Sequence, residues 1–285
     1  MDDNQLKISE HSRDVAGLRY VYPVVSRRAG GVSVGINLNV NNACNWRCIY
    51  CQVPDLKLGA APPVDLLVLE NELRGFLHEL LYGDFMATRV PEEARCINDI
   101  AISGNGEPSS AAEFLQVIEL IAKLKLELSL PEHIKLLLIS NGSQLHRENV
   151  QQGLRIMAQS NGEVWFKLDR ASEQGMALVN DTQNTMHKVR ANLAAAIACC
   201  PNTWLQTCWF ALDGDAPSER DENDYLDFIQ GLKKQHIEPS GVLLYGIART
   251  PMQAEAPRLS ALSIEVLNNF AQRIRDLGLL VKVSE

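Results

Sequence analysis

The chain has 285 residues, 46% of them hydrophobic and 22% charged, which supplies a sizeable core and excludes disordered and low-complexity classes. No apolar run approaches the ~18 residues of a membrane helix, and the opening MDDNQLKISE lacks the basic-then-apolar pattern of a signal peptide. Lys and Arg total 27 against 35 Asp and Glu, a net charge of −8 that disfavours indiscriminate attraction to phosphate. Seven cysteines, three of them within eight positions, fit a metal site in a reducing compartment better than a disulfide framework. A cytoplasmic protein is expected.

Taken in chain order, strand-like and helix-like stretches alternate. Residues 32–40 read as a strand and 64–81 as a helix; 99–103, 134–140, 163–169, 203–212 and 241–247 read as further strands. Helical periodicity follows each of these, over 111–128, 147–158, 185–199, 222–235 and 263–277, and 279–284 is again extended. Six β-then-α units imply a parallel sheet covered by helices, either a partial barrel or an open doubly wound sheet. Such folds place their chemistry on the loops that follow the strands. Residues 1–31 are expected to form an N-terminal extension packed on a unit of residues 32–285.

The loop after the first strand reads Asn41-Asn42-Ala43-Cys44-Asn45-Trp46-Arg47-Cys48-Ile49-Tyr50-Cys51. Three thiolates in a Cys-x3-Cys-x2-Cys spacing can hold three irons of a 4Fe–4S cubane and leave the fourth iron open to a small molecule. A structural zinc would need a fourth ligand, and no nearby His or Cys supplies one. Cys96, Cys199 and Cys200 lack ligand spacing and read as core cysteines, and Cys208 reads as packing.

The triplet, with aromatic Tyr50 ahead of Cys51, resembles the signature of the radical S-adenosylmethionine (SAM) enzymes, which makes Tyr50 a candidate SAM contact. That resemblance implies an α/β fold, a partial (β/α)6 barrel with parallel strands inside and helices outside. It also implies a 4Fe–4S cluster on Cys44, Cys48 and Cys51. In such enzymes the open iron holds SAM, which one-electron reduction by a partner such as flavodoxin or ferredoxin cleaves to methionine and a 5′-deoxyadenosyl radical.

The other strand ends add to this reading. Ser103-Gly104-Asn105-Gly106-Glu107-Pro108 resembles the family's Gly-Gly-Glu element for the methionyl amine, with Asn105 where a glycine is usual. Gly104, Asn105, Gly106 and Glu107 are therefore candidate SAM ligands. Ser140 and Asn141 occupy a position that in the family meets the ribose or the methionyl carboxylate. The period-two pattern of the fourth strand puts Trp165, Lys167 and Asp169 on one face. Charges facing an apolar helix layer would be costly, so that face should be interior. Lys167 and Asp169 are candidate catalytic and SAM-contacting residues, although a purely structural pair is also open. Gln206 is a further candidate for SAM contact.

The Tyr22–Arg28 segment and the Gly35–Asn39 run, together with these strand ends, look most like the wyosine-synthase-related branch, whose members modify tRNA. This chain has no cysteine before Cys44, where those enzymes hold a second cluster. The substrate reading is therefore tRNA or another nucleotide-containing molecule, with a protein or peptide, or a non-catalytic iron–sulfur role, as alternatives. Residues 13–57 carry six basic side chains (Arg13, Arg19, Arg27, Arg28, Arg47, Lys57) against Asp14 and Asp55. They could form a basic lip for an anionic substrate, or a solvated surface.

Overall fold

The computed structural model describes residues 17–26 and 30–284. Its strands are β1 (Val21–Ser26), β2 (Gly31–Ile36), β3 (Ala43–Cys44), β4 (Lys57–Leu58), β5 (Ile97–Ile102), β6 (Lys135–Ser140), β7 (Gly162–Lys167), β8 (Thr203–Cys208), β9 (Ala211–Leu212), β10 (Gly241–Tyr245), β11 (Leu259–Ser260) and β12 (Val281–Ser284). Its helices are α1 (Leu66–Tyr82), α2 (Phe85–Arg89), α3 (Phe114–Glu127), α4 (Glu148–Gln159), α5 (Glu173–Asn180), α6 (Met186–Cys199), α7 (Glu219–Lys234) and α8 (Ile264–Asp276). Among the described residues no helix is long and apolar enough to cross a membrane.

One eight-stranded sheet runs in the order β1-β2-β5-β6-β7-β8-β10-β12. All its neighbours are parallel except β1, which pairs antiparallel with β2. This edge strand was not anticipated, and Pro23 within it is tolerated because an edge residue need not donate to a ladder. Its start is fixed from α1, where the Glu72 carboxylate accepts from the backbone N–H of Arg19 (2.7 Å) and Tyr20 (2.8 Å). Arg13, Arg27 and Arg28 lie outside the described residues.

Side-chain alternation decides what each face meets. Val32, Val34 and Ile36 of β2, Ile100 and Ile102 of β5, and Leu136 and Leu138 of β6 are buried under the helices. α1 presents Leu69, Leu73, Phe76, Leu77 and Leu80 to that layer and is capped by the Asp65 side chain on the N–H groups of Leu67 and Val68. Each such buried side chain contributes roughly 1.5–3 kcal/mol of apolar transfer.

The opposite faces of the strands line one interior cavity. As the alternation predicts, Trp165 and Lys167 face this interior. The registers Ile139↔Trp165, Lys167↔Gln206 and Cys208↔Tyr245 set the level of each residue around the barrel. Two expected boundaries move. The strand over 203–212 ends at Cys208; the Trp209 amide still donates to the Tyr245 carbonyl (2.8 Å), and its ring stacks on Phe270 with centroids 4.3 Å apart. Helix α7 starts at Glu219, where Ser218 and Asp221 form a capping box.

Candidate functional site

The cysteine loop is stapled before it reaches the cavity. β3 and β4 form a two-residue parallel ladder that joins Ala43–Cys44 to Lys57–Leu58. Farther along, the N–H groups of Arg47 and Ile49 donate to the carbonyls of Asn180 and Val179 at the end of α5 (3.2 and 2.9 Å). Trp46 is buried between these anchors. Cys44, Cys48 and Cys51 all border a cavity of about 750 Å³. N–H groups already point at two of the sulfurs: Asn180 Nδ2 stands 3.2 Å from Cys48 Sγ, and the Trp46 amide 3.5 Å from Cys44 Sγ. Burial pushes both thiols up, to about 12. Thiols so raised stay protonated at neutral pH until a metal displaces the proton.

These residues fit an iron–sulfur cubane. Three soft thiolate donors come from one loop, with N–H groups directed at sulfur. Among the described residues no three His, Cys, Asp or Glu side chains converge on a single ion position, whereas in a cubane each thiolate meets a different iron.

A lattice of asparagines ties this loop to the next two strand ends. Asn37 Oδ1 accepts from the N–H groups of Asn39 (3.1 Å) and Asn105 (3.0 Å). Asn105 Nδ2 donates to Asn42 Oδ1 at 2.6 Å, and Asn141 Nδ2 to Asn45 Oδ1 at 2.8 Å. The side chain that departs from the family pattern at Asn105 thus braces the cysteine loop. Gly106 has no freedom to carry a side chain, because a Cβ there would come within 2.0 Å of the Ala43 carbonyl oxygen.

Glu107 stands where the resemblance puts it and borders the cavity with Gly104, Asn105 and Gly106, but its carboxylate is engaged by the protein. Its carboxylate accepts from the Ser109 amide (3.1 Å) and hydroxyl, from Ser140 Oγ (2.8 Å) and from the Asn141 amide (2.6 Å). Burial raises its pKa, and these four donors oppose that shift. Glu107 therefore welds the Gly104–Glu107 loop to the end of β6. Ser140 and Asn141 serve first as its partners, and Asn141 also lines the cavity.

At the end of β7 the two candidate catalytic residues separate in role. Asp169 Oδ2 accepts from the Tyr50 hydroxyl (2.6 Å) and Asn180 Nδ2 (2.7 Å), and Oδ1 from the Cys208 amide (2.8 Å). Lys167 instead turns into the cavity, with Nζ 3.3 Å from the Tyr245 hydroxyl and 5.0 Å from the centre of the Tyr50 ring. Burial alone would favour its neutral amine, but the field of Tyr245 and Asp169 outweighs burial and keeps it an ammonium. Gln206 borders the same cavity and is buried, and its Oε1 has no partner. The buried carbonyl oxygens of Asn39 and Asn180 are likewise unpaired. Of these three residues only Gln206 borders the cavity.

Other expectations change. Arg47 does not form an open lip: Nε pairs with Asp181 at 3.0 Å, and its two terminal nitrogens pair with Glu255 at 3.0 Å each. This clamp holds residues 252–258 over the cysteine loop, helped by the Met252 amide on the Cys51 carbonyl (2.8 Å) and Gln253 Nε2 on Val53 (2.9 Å). Lys57 is exposed on β4. Cys96 is exposed rather than a core residue, whereas Cys199, Cys200 and Cys208 are buried.

Asn180, Tyr245 and Asp99 were not foreseen. The helix that delivers Asn180 is only eight residues long, with Gly175 near its start. The run of asparagines around the cysteines, at 37, 39, 41, 42 and 45, was the available signal for the lattice.

No family model matches the chain. Over 141 residues it is 31% identical to a UPF0026 protein of Helicobacter pylori (strain ATCC 700392 / 26695), covering 47% of this chain and 38% of that protein. The UPF0026 protein of strain J99 is 32% identical over 136 residues, again covering 47% and 38%. The chain thus spans little more than a third of these curated relatives. Among solved structures, TYW1 with a lysine–pyruvate adduct matches with a TM-score of 0.58 at 13% identity, covering 86% of this chain and 73% of that one. Streptococcus suis SuiB bound to S-adenosylmethionine matches at 0.56 and 11% identity (90% and 52%). The C140S mutant of spore photoproduct lyase matches at 0.56 and 11% identity (99% and 88%).

The chain has the radical SAM partial-barrel fold. The three structural likenesses are nearly equal, so the wyosine-related branch is not singled out. In this fold β2 and β5–β8 supply the first five strand ends of the barrel, and the cysteine loop sits at the first of them.

Proposed function

We propose that this chain is a single-cluster radical SAM enzyme, with Cys44, Cys48 and Cys51 holding a 4Fe–4S cluster and SAM bound beside it in the cavity. The observation that carries the reading is convergence. Three thiols, the close-packed Gly104–Gly106 backbone, the Lys167 ammonium and the unpaired Gln206 amide all border one cavity. The likeness to SuiB, whose structure holds S-adenosylmethionine, supports the same cofactor. When bound and reduced by a small electron carrier such as flavodoxin or ferredoxin, the cluster supplies the electron that cleaves SAM to methionine and a 5′-deoxyadenosyl radical for hydrogen abstraction.

The protein's own residues then bind and orient. Lys167 offers an ammonium for a carboxylate or hydroxyl oxygen. Gln206 offers an amide, Tyr50 a ring fixed by Asp169, and the 252–258 segment covers the cysteine loop. For the reading of tRNA or another nucleotide-containing substrate, the described basic residues near the cysteines are the exposed Lys57 and, bordering the cavity, Arg19 and Arg249.

The test is anaerobic reconstitution followed by dithionite reduction in the presence of SAM. Formation of 5′-deoxyadenosine is expected, and its loss with Cys48→Ala. A loaded, reducible cluster that yields none would replace the enzyme reading with that of an electron carrier or sensor.

A further inference from the structure

Deep in the barrel stands a buried carboxylate that neither the cluster loop nor the SAM contacts use. Asp99 lies on β5 four residues before Ser103, roughly 13 Å of strand below the Gly104 loop at about 3.3 Å per residue. It is 6% exposed and lines the same cavity as the three cysteines. Among the described residues its one hydrogen-bond partner is the Ser33 hydroxyl, directly across the β2–β5 ladder. A carboxylate can accept about four hydrogen bonds, so most of its capacity faces the cavity.

Among the described residues no cation forms an ion pair with it. Lys135, its register partner across the β5–β6 ladder, opposes the effect of burial at Asp99 but is bound to Glu163 at 2.7 Å. Glu163 in turn holds Trp165 Nε1 (2.6 Å) and Asn202 Nδ2 (3.2 Å) and adds negative field at Asp99. One level above on the same face of β5, Ala101 puts only a methyl group toward the cavity, and the Tyr22 ring lies over its register partner Gly35. Gln206, whose buried Oε1 is unpaired, borders the cavity nearer the mouth.

We propose that Asp99 docks a basic nitrogen, an amine or guanidinium carried by the substrate, at the floor of the barrel. The inference rests on reading the cavity as the substrate chamber of the enzyme proposed above. An ionised carboxylate held in low dielectric with one neutral partner is costly, and a cationic guest turns that cost into recognition. Burial raises the Asp99 pKa to about 6, so the carboxylate is ionised at neutral pH and the docking weakens in acid. The substrate end that enters is thus cationic, which sets this floor apart from a pocket for phosphate.

Agmatine and 1,5-diaminopentane, with 1,5-pentanediol as the neutral control, probe the floor by calorimetry on cluster-loaded protein with SAM present. Both cations are expected to bind at pH 7.5 and to weaken at least ten-fold at pH 5, while the diol does not bind. Asp99→Asn should weaken both cations ten- to a hundred-fold, the range of one charge-assisted hydrogen bond. Failure of both cations to bind, equal binding of the diol, or unchanged affinity in Asp99→Asn overturns the proposal. The wild-type pH series needs no variant and decides the matter if Asp99→Asn does not fold. Iron content and SAM affinity of the same wild-type sample are measured separately. Their failure overturns the enzyme reading, and normal values with no cation binding overturn only this inference.

Discussion

The Tyr50 hydroxyl donates to Asp169 Oδ2 across 2.6 Å, joining the residue before the third cysteine to the end of β7, 119 positions later. Asn180 completes the junction by donating from one amide nitrogen to Asp169 (2.7 Å) and toward Cys48 Sγ (3.2 Å). Asp169 is therefore a positioning residue for the cysteine loop, and Lys167 is the member of the predicted pair that meets the cavity.

Removing that junction should show first in stability and iron retention. Tyr50→Phe deletes one donor and should cost about 1–2 kcal/mol. Asp169→Ala strands Tyr50, Asn180 and the Cys208 amide together and should cost several kcal/mol. Urea midpoints of the apo-protein give the ranking. Iron after desalting should remain in Tyr50→Phe and fall in Asp169→Ala. The reverse order would mean that Asp169 acts on bound molecules instead of on the loop.

Cluster stoichiometry follows from the thiol inventory. Reconstituted protein should hold about four irons per chain, the content of one cubane. Alanine at Cys44, Cys48 or Cys51 should abolish the visible absorption, and alanine at Cys96, Cys199, Cys200 or Cys208 should not. Eight irons per chain would require a second cluster and defeat the single-cluster reading.

The engaged carboxylate of Glu107 makes a separable expectation. Glu107→Ala leaves the donors of Ser109, Ser140 and Asn141 unsatisfied, each at roughly 1–3 kcal/mol. The Gly104 loop should loosen, so SAM affinity falls at least ten-fold together with the melting midpoint. Glu107→Gln retains part of the network and should fall between. A full loss of SAM affinity at unchanged stability would instead make Glu107 a direct ligand of the methionyl amine.

The cysteine triplet, the six βα units and the inward face of β7 were legible because spacing and periodicity are local properties. The contacts that arm the site were not. How the Glu107 carboxylate is engaged depends on Ser140 and Asn141, at the end of another strand. Arg47 looked free only because Asp181 and Glu255, 134 and 208 residues away, cannot be assigned to it by sequence distance. β1 was hidden because Pro23 breaks the expected strand composition and no helix separates it from β2.

Asp99 should leave a signature in stability against pH. Its folded pKa is raised by burial from 3.8 to about 6, so between these values the folded state keeps a proton that the unfolded chain has lost. Stability then falls as pH rises through this window and stays lower above it. Two units correspond to on the order of 3 kcal/mol at full effect. In urea titrations at pH 4, 5, 6 and 7, wild type should lose stability relative to Asp99→Asn as pH rises. Parallel profiles would show that the carboxylate is already compensated.

The Arg47 clamp should behave as a strap rather than as a phosphate contact. Arg47 is about one-third exposed, and its partners Asp181 and Glu255 differ, at 51% and 19%. Their pairing with it therefore contributes about 1 kcal/mol or less and weakens with salt. Arg47→Ala should leave global stability nearly unchanged but speed proteolytic cleavage within 249–255, because the remaining ties of that stretch are hydrogen bonds from Arg249, Met252 and Gln253 to Gln52, Cys51 and Val53, ahead of the Arg258–Asp213 ion pair. Raising salt should bring wild type toward the mutant rate. RNA retention at low salt should not change in Arg47→Ala, since the guanidinium is already neutralised by two carboxylates, whereas Lys57→Ala should reduce any retention the cysteine loop provides. A selective loss of RNA binding in Arg47→Ala, with cleavage unaltered, would show that the clamp opens to an anionic partner.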